Sequence, residues 1–171
     1  MQAAPDPLHR LLTTFAGVPA GQIWADYYLW ELVLNEHVDL NAIVEIGTWE
    51  GGFSLYLHTQ ASLRGMRFRT FDAVTPEKVP PGFAKMDVFA HRDDLVSELQ
   101  GLEPIALLCD GGNKPREMRE FGAALSPPSI VLVHDWLTEM LPHDVPDCLT
   151  PIHEEACDML GSMTRVFQPV R

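Results

Sequence analysis

Residues 42–54, AIVEIGTWEGGFS, constrain the fold of this chain more than any other segment. They begin as a short apolar strand, pass through a turn that contains Gly47, Gly51 and Gly52, and continue as a helix. Glycine is needed where a ligand approaches the backbone more closely than a Cβ atom would allow, and a helix after such a turn directs free N–H groups at the ligand. Glu45 adds a carboxylate before the first glycine. The segment therefore predicts a site for a ligand with both hydrogen-bond acceptors and a positive charge.

Strand and helix patterns alternate along most of the chain. Apolar runs predict strands over 42–46, 67–73, 84–89, 105–109, 129–134 and 164–170, and the intervening segments predict helices over 22–36, 53–63, 93–100, 115–125 and 152–163. Strands separated by helices of this length form a mostly parallel sheet with helices on both faces. We therefore predict an α/β fold, a Rossmann-like doubly wound sheet of about six strands, as a single domain after an N-terminal extension (1–20). Residues 137–151, which contain three prolines, are predicted to form a long loop.

Charge and cysteine content exclude several classes of partner and site. The chain has 12 Lys and Arg against 24 Asp and Glu, and its formal net charge is −12. Such a field repels polyphosphates, so we expect neither nucleic acid nor an anionic membrane as a partner. The three cysteines lack the number and spacing of a disulfide framework or a zinc site. The sequence shows no signal peptide and no long apolar run, so a cytoplasmic protein is expected.

The second predicted strand ends in Asp72, which follows Gly47 by 25 residues. In a doubly wound sheet, ligands bind beyond the carboxyl ends of the strands, and a carboxylate at this point can accept hydrogen bonds from both hydroxyls of a ribose. A solvated strand end is the alternative for Asp72 alone. The spacing Gly47-x-x-x-Gly51-Gly52 differs from the dinucleotide fingerprint, which disfavours a nicotinamide oxidoreductase.

Two further aspartates, Asp110 and Asp135, end the fourth and fifth predicted strands. Neighbouring parallel strands lie about 5 Å apart, so the two carboxylates can share one hard cation such as Mg²⁺, Ca²⁺ or Mn²⁺. Helix capping or binding of water or cofactor is the open alternative. Lys114 and His134 are rival general bases, the lysine if a partly dry pocket lowers its pKa. Each also has an ordinary interpretation, as a solvated lysine and a packed histidine.

The motif Glu45-x-Gly47-x-x-x-Gly51-x-Phe53-Ser54, with Asp72 after it, resembles the class I S-adenosylmethionine-dependent methyltransferases. The resemblance implies S-adenosyl-L-methionine as the cofactor. The residues that it implies for cofactor binding are Glu45, Gly47, Thr48, Gly51, Gly52, Ser54, Asp72, Asp93 and Asp110. Among these, Asp93 stands where the family commonly contacts the adenine, with Asp94 or a role in helix capping as alternatives.

The second half of the chain resembles the metal-dependent small-molecule O-methyltransferases, and in particular the cephalosporin-hydroxylase-like group. The resemblance implies methyl transfer to an oxygen of a small-molecule acceptor. It also implies Asp110 and Asp135 as metal ligands, and Asp110, Lys114 and His134 as catalytic residues. His134 stands where the group often carries an acid, and Trp136 stands where catechol-type enzymes carry an asparagine ligand.

The resemblance covers about residues 20–170, and the complete fold of the family has a seventh, antiparallel strand. Because the chain leaves no room for another strand after Val170, we expect the seventh strand to be missing. The acceptor pocket is then expected to be open, or to be completed by a second subunit in a homodimer. An accessory domain that binds S-adenosylmethionine with little or no catalysis is the alternative function.

Overall fold

The computed structural model describes residues 13–170, which form nine strands and five α-helices. The strands are β1 (Thr14–Phe15), β2 (Val18–Pro19), β3 (Ala42–Ile46), β4 (Arg67–Asp72), β5 (Phe83–Lys85), β6 (Ile105–Cys109), β7 (Ile130–Val133), β8 (Leu149–Ile152) and β9 (Arg165–Pro169). The helices are α1 (Trp24–Glu36), α2 (Gly52–Leu63), α3 (Arg92–Leu102), α4 (Lys114–Glu120) and α5 (Glu154–Leu160). Of the predicted N-terminal extension, residues 1–12 lie outside the described residues, and 14–19 form the small β1–β2 hairpin.

Seven strands form the central sheet, in the order β5-β4-β3-β6-β7-β9-β8. The five strands from β5 to β7 are parallel to their neighbours, whereas β9 runs antiparallel to both β7 and β8. The order of the strands reverses between β3 and β6, and this reversal is the point at which open α/β sheets bind ligands. The predicted α/β, Rossmann-like fold class is confirmed.

The prediction that the seventh strand is missing is wrong. β8 begins within the predicted long loop, ends at the first residue of the helix predicted after it, and pairs with β9 from Leu149 opposite Pro169 to Ile152 opposite Val166. The sequence of β8 conceals it because Thr150 and Pro151 are exposed, and a proline within a run argues against a strand. β8 lies at the edge of the sheet, where proline is tolerated. The last predicted strand, β9, therefore lies between β7 and β8 rather than at the edge.

The core lies on both faces of the sheet, and its centre is the pair β3 and β6, in which every residue is buried. Ile43 faces a cluster with Trp30 and Leu57 of the helices α1 and α2. Its neighbours along β3 face the opposite cluster, which includes Leu99 of α3. Alternation along the strand places Glu45 on the same face as Ile43. An acidic side chain therefore enters the apolar layer beneath α2.

The helices are short, and none within residues 13–170 is long and apolar enough to cross a membrane. α4 begins at Lys114 and ends at Glu120, earlier than the predicted end at residue 125. A 3₁₀ turn over Gly122–Ala124 follows it, and Gly122 lies against Val131 of β7. α4 therefore places its first residue, Lys114, at the carboxyl end of β6.

Candidate active site

Two cavities lie at the carboxyl ends of the parallel strands and meet at Gly47, which lines both. The first has a volume of about 140 Å³ and extends over the ends of β4 and β5. The second has a volume of about 370 Å³ and extends over the ends of β6 and β7. Together they form one cleft at the reversal of strand order, so an elongated ligand can occupy both sides of Gly47.

The three glycines of the turn have different roles. Gly47 has a φ of +99°, and a Cβ atom there would lie 2.3 Å from the carbonyl oxygen of Asp110. Gly51 has a φ of +87°, and a Cβ atom at Gly52 would lie 2.3 Å from the carbonyl oxygen of Pro19. Only Gly47 of the three lines either cavity. Gly51 and Gly52 instead allow the sharp turn and the close packing of the β1–β2 hairpin against α2.

Asp72 lies at the mouth of the first cavity, at the end of β4 as predicted. Its carboxylate accepts hydrogen bonds from the backbone N–H groups of Trp49, at 3.0 Å, and Val74, at 2.9 Å. These bonds fix the carboxylate beside a largely apolar wall that includes Phe71 and Val88. A flat aromatic group can pack on this wall while a neighbouring polar group reaches Asp72.

The structure does not bring Asp93 to the cleft. Its side chain, in the first turn of α3, is 91% exposed and pairs with Arg92 at 2.7 Å. Asp94 is 81% exposed on the same turn. Because β5 ends at Lys85 rather than at residue 89, the acidic residue that follows it and lines the first cavity is Asp87. Sequence reasoning missed Asp87 because it lay inside the predicted strand.

Glu45 lines the second cavity and is buried. One of its oxygens accepts hydrogen bonds from Ser54 and, at 2.6 Å, from Thr70, whose hydroxyl also lies 2.6 Å from that of Thr48. Burial raises the pKa of Glu45 to about 8, against the opposing effect of these hydroxyls. Within residues 13–170 this carboxylate forms no ion pair. A ligand with a positive charge would favour its ionised form.

The predicted catalytic and metal-binding residues come together in the same cavity. The Lys114 ammonium lies 2.9 Å from an oxygen of Asp135 and 3.5 Å from one of Asp110. It also lies 2.8 Å from an oxygen of Glu139, a residue that the sequence did not single out. His134 Nδ1 lies 3.2 Å from Asp110 Oδ1 and 3.4 Å from Asp135 Oδ1. The arrangement is a compact network of opposite charges.

This network holds Lys114 and His134 in their charged forms. Burial alone would lower the pKa of Lys114, but Asp110, Glu139 and Asp135 outweigh it and raise the pKa above its ordinary value. Burial would also lower the pKa of His134, yet its carboxylate neighbours raise it to about 12. A general base must be unprotonated before it acts. In the free protein, both side chains are therefore hydrogen-bond donors.

Two residues near the start of α1 complete the network and were missed from the sequence. Asp26 is fully buried and accepts hydrogen bonds from Ser162 Oγ, at 2.6 Å, and from the backbone N–H of Thr164, at 3.2 Å. Its second oxygen lies 3.7 Å from His134 Nε2. Gln22 donates a hydrogen bond of 2.7 Å to Asp110. The available signal was an acid on the apolar side of a helix, but an acid in a first turn is also typical of capping.

The residues present do not fit a divalent cation in this arrangement. Asp110, His134 and Asp135 offer three ligand atoms within 4.8 Å of one another. A metal needs a neutral imidazole and free carboxylate lone pairs. Here His134 is protonated, and the Lys114 ammonium lies between the carboxylates. A cation that used both carboxylates would have to displace the lysine.

Comparisons with known proteins give information about the fold of this chain. No protein-family model matches the chain, and no curated protein matches it. A solved structure named cmcI-N160 SAH aligns with a TM-score of 0.67 at 14% identity, over 91% of this chain and 81% of that chain. A mutant of MtNAS aligns with a TM-score of 0.52 at 11% identity, over 85% of this chain and 61% of that one. These likenesses confirm the fold that the resemblance to class I methyltransferases implied.

Proposed function

We propose that this protein is an S-adenosylmethionine-dependent methyltransferase that acts on an oxygen of a small-molecule acceptor. The observation that carries the proposal is the pair of cavities that meet at Gly47, with Asp72 lining one and the buried Glu45, which has no ion-pair partner among residues 13–170, lining the other. S-adenosylmethionine has matching parts: an adenine and ribose at one end, and a sulfonium and an amino group at the other. The fold that the chain shares with cmcI-N160 SAH supports the proposal.

In this proposal the adenosine occupies the first cavity. The adenine packs on the apolar wall that includes Phe71 and Val88, and the ribose hydroxyls donate hydrogen bonds to Asp72. The methionine part crosses Gly47 into the second cavity, where Glu45 faces its amino group. Asp87, which also lines the first cavity, replaces Asp93 as the acidic neighbour of the adenine.

The transfer is an in-line displacement at the sulfonium methyl group. The acceptor oxygen attacks the methyl carbon, an O–CH₃ bond forms, and the S–CH₃ bond breaks with its electron pair returning to sulfur. Because the donor is already activated, the protein contributes mainly orientation and a suitable acceptor oxygen. The acceptor proton passes to solvent, which reaches this cavity beside the exposed side chain of Glu139.

Lys114 contributes charge to this reaction rather than accepting a proton. A hydroxyl group bound beside an ammonium ion has a lowered pKa, because its ionised form is stabilised. His134 and Asp110 orient the lysine and the wall of the cavity through the network described above. The acceptor's remaining contacts lie with the residues of the same cavity, which include Trp49 and Phe53.

An accessory protein that binds the cofactor without turnover is the second candidate function. Two features of the sequence motivated it, the absence of a seventh strand and the irregular metal positions. The first no longer applies, since β8 and β9 complete the sheet. The second remains, because Lys114 and His134 take the positions at which a metal would bind.

Calorimetry with S-adenosylhomocysteine, followed by transfer of a labelled methyl group to a panel of phenols, sugars and polyketides, tests both candidates. We expect S-adenosylhomocysteine to bind, and we expect at least one acceptor to receive the labelled methyl group. Binding without transfer to any acceptor favours the accessory role. No binding at millimolar ligand overturns both candidates, and binding of NADH instead would indicate an oxidoreductase.

A further inference from the structure

The Lys114 ammonium occupies the centre of a ring of oxygens. It contacts Asp135 at 2.9 Å, Glu139 at 2.8 Å and Asp110 at 3.5 Å, and it donates a hydrogen bond of 3.2 Å to the carbonyl of Gly111. Its side chain is only 4% exposed. A lysine side chain is rarely buried unless opposite charges compensate for the loss of its hydration. The carboxylates supply that compensation, so the ammonium and the carboxylates stabilise one another in this arrangement.

The oxygens around this ammonium are the type that a hard divalent cation selects, at the point where two neighbouring strands end. An ammonium ion and a metal ion therefore compete for the same carboxylates, Asp110 and Asp135. His134 Nδ1 lies 3.2 Å from Asp110 and 3.4 Å from Asp135, and Asp26 lies 3.7 Å from the other ring nitrogen. A metal ion placed between these two carboxylates would collide with the Lys114 ammonium.

We propose that Lys114 takes the place of a divalent cation in this protein, so that its site is assembled, and the methyl transfer proposed above proceeds, without a metal ion. Only the statement that methyl transfer proceeds without a metal ion rests on the proposed function. The lysine and the two carboxylates hold one another in place, and in the proposed function the charge of the lysine also faces the acceptor oxygen. Removal of its charge then frees a latent cation site formed by the same two carboxylates.

Binding of Mn²⁺, followed by electron paramagnetic resonance, tests the assignment without any measurement of activity. We expect no stoichiometric Mn²⁺ site in the wild-type protein and a new site in Lys114→Met, which is one atom shorter than lysine and has no charge. The new site should disappear when Asp135→Asn is added. Lys85→Met, the same change at an exposed lysine, is the matched control and should bind no Mn²⁺.

Thermal melting gives an independent readout. Lys114→Met removes the ammonium partner of the partly buried carboxylates Asp110 and Asp135 and should lower the melting temperature. Millimolar Mn²⁺ should restore part of the loss, since a ligand that binds only the folded state stabilises it. The wild-type protein should melt at the same temperature with Mn²⁺ or EDTA. If Lys114→Met does not fold, Lys114→Gln, which is neutral, of the same length as methionine and polar, replaces it in both experiments.

Stoichiometric Mn²⁺ binding by the wild-type protein overturns the proposal, and so does a Lys114 variant that folds but gains no site. If EDTA abolishes the transfer of a labelled methyl group and Mg²⁺ restores it, the statement that the transfer needs no metal ion is overturned. If S-adenosylhomocysteine fails to bind while the Mn²⁺ results are as expected, the proposed function is wrong and the assignment of Lys114 stands.

Discussion

Thr70 of β4 donates a hydrogen bond of 2.6 Å to the carboxylate of Glu45 on the neighbouring strand β3. With Ser54 donating to the same oxygen, two neutral hydroxyls hold a buried acid, and burial still raises its pKa to about 8. The ligand-free protein therefore carries an acid that is costly to ionise at neutral pH. Such a cost is expected where a site is built for a cationic ligand.

Glu45→Gln should stabilise the ligand-free protein and weaken cofactor binding. The pKa of Glu45 is raised from its ordinary value of 4.5 to about 8, so its contribution to stability is full below pH 4.5 and is lost as the pH rises through about 8. Glutamine avoids this loss, and its oxygen can accept both hydroxyl hydrogen bonds. We expect a gain of about 1–3 kcal/mol at pH 8, measured by urea denaturation.

Glu155→Gln, a change of the same kind on the exposed side of α5, is the control and should leave stability unchanged. A loss of stability in Glu45→Gln at pH 8 would contradict the argument, as would unchanged affinity for S-adenosylhomocysteine. The two measurements separate a structural role from a role in binding. Replacement of a merely structural glutamate would lower the stability of the protein without changing its affinity for S-adenosylhomocysteine.

Asp72→Asn should weaken binding of S-adenosylhomocysteine by roughly tenfold or more, since hydrogen bonds to a charged acceptor contribute more than neutral ones. Asp93→Asn is the matched variant, and because its side chain lies outside both cavities we expect less than about a twofold effect. Calorimetry at one pH measures both. Equal losses in the two variants would show that the first cavity does not hold the ribose.

Gly52→Ala should destabilise the protein by about 1–3 kcal/mol, because its Cβ would lie 2.3 Å from the carbonyl oxygen of Pro19 and the hairpin must move. Gly101→Ala lies within α3 with open space around its Cβ, so the better helix propensity of alanine should stabilise by about 0.5–1 kcal/mol. Thermal or urea denaturation compares the two. The same sign of change in both variants would contradict the packing argument.

Much of the fold could be predicted from the sequence, since β3, β6 and β7 are buried strands with a mostly apolar sequence, and β4 buries its two phenylalanines. β8 could not, because an edge strand needs little apolar pattern and tolerates Pro151. β5 has three residues and was predicted too long. Because of this error, Asp93 rather than Asp87 was predicted as the acidic residue near the adenine. Short edge strands depend on pairing with neighbours, which a single sequence does not display.

The site was predictable where a residue ends a strand, as with Asp72, Asp110 and Asp135. The raised pKa of Lys114 was not, because it depends on how closely Asp110, Glu139 and Asp135 approach the ammonium, and Glu139 reaches it from a turn that follows β7. Asp26 was hidden for a similar reason, since its partners Ser162 and Thr164 lie at the other end of the chain. Spacing places side chains at one sheet edge, but tertiary contacts decide their charges.

Binding of S-adenosylhomocysteine should release a proton near neutral pH. Since the pKa of Glu45 is about 8 in the free protein, most molecules at pH 7 carry a protonated Glu45 that must ionise to face the ligand's amino group. The affinity should then rise by up to about tenfold per pH unit between pH 6 and 8 and become level above that. Calorimetry in buffers of different ionisation enthalpy counts the released proton directly. Glu45→Gln should abolish both the release and the pH dependence, and a proton released equally by this variant would assign the release to another group.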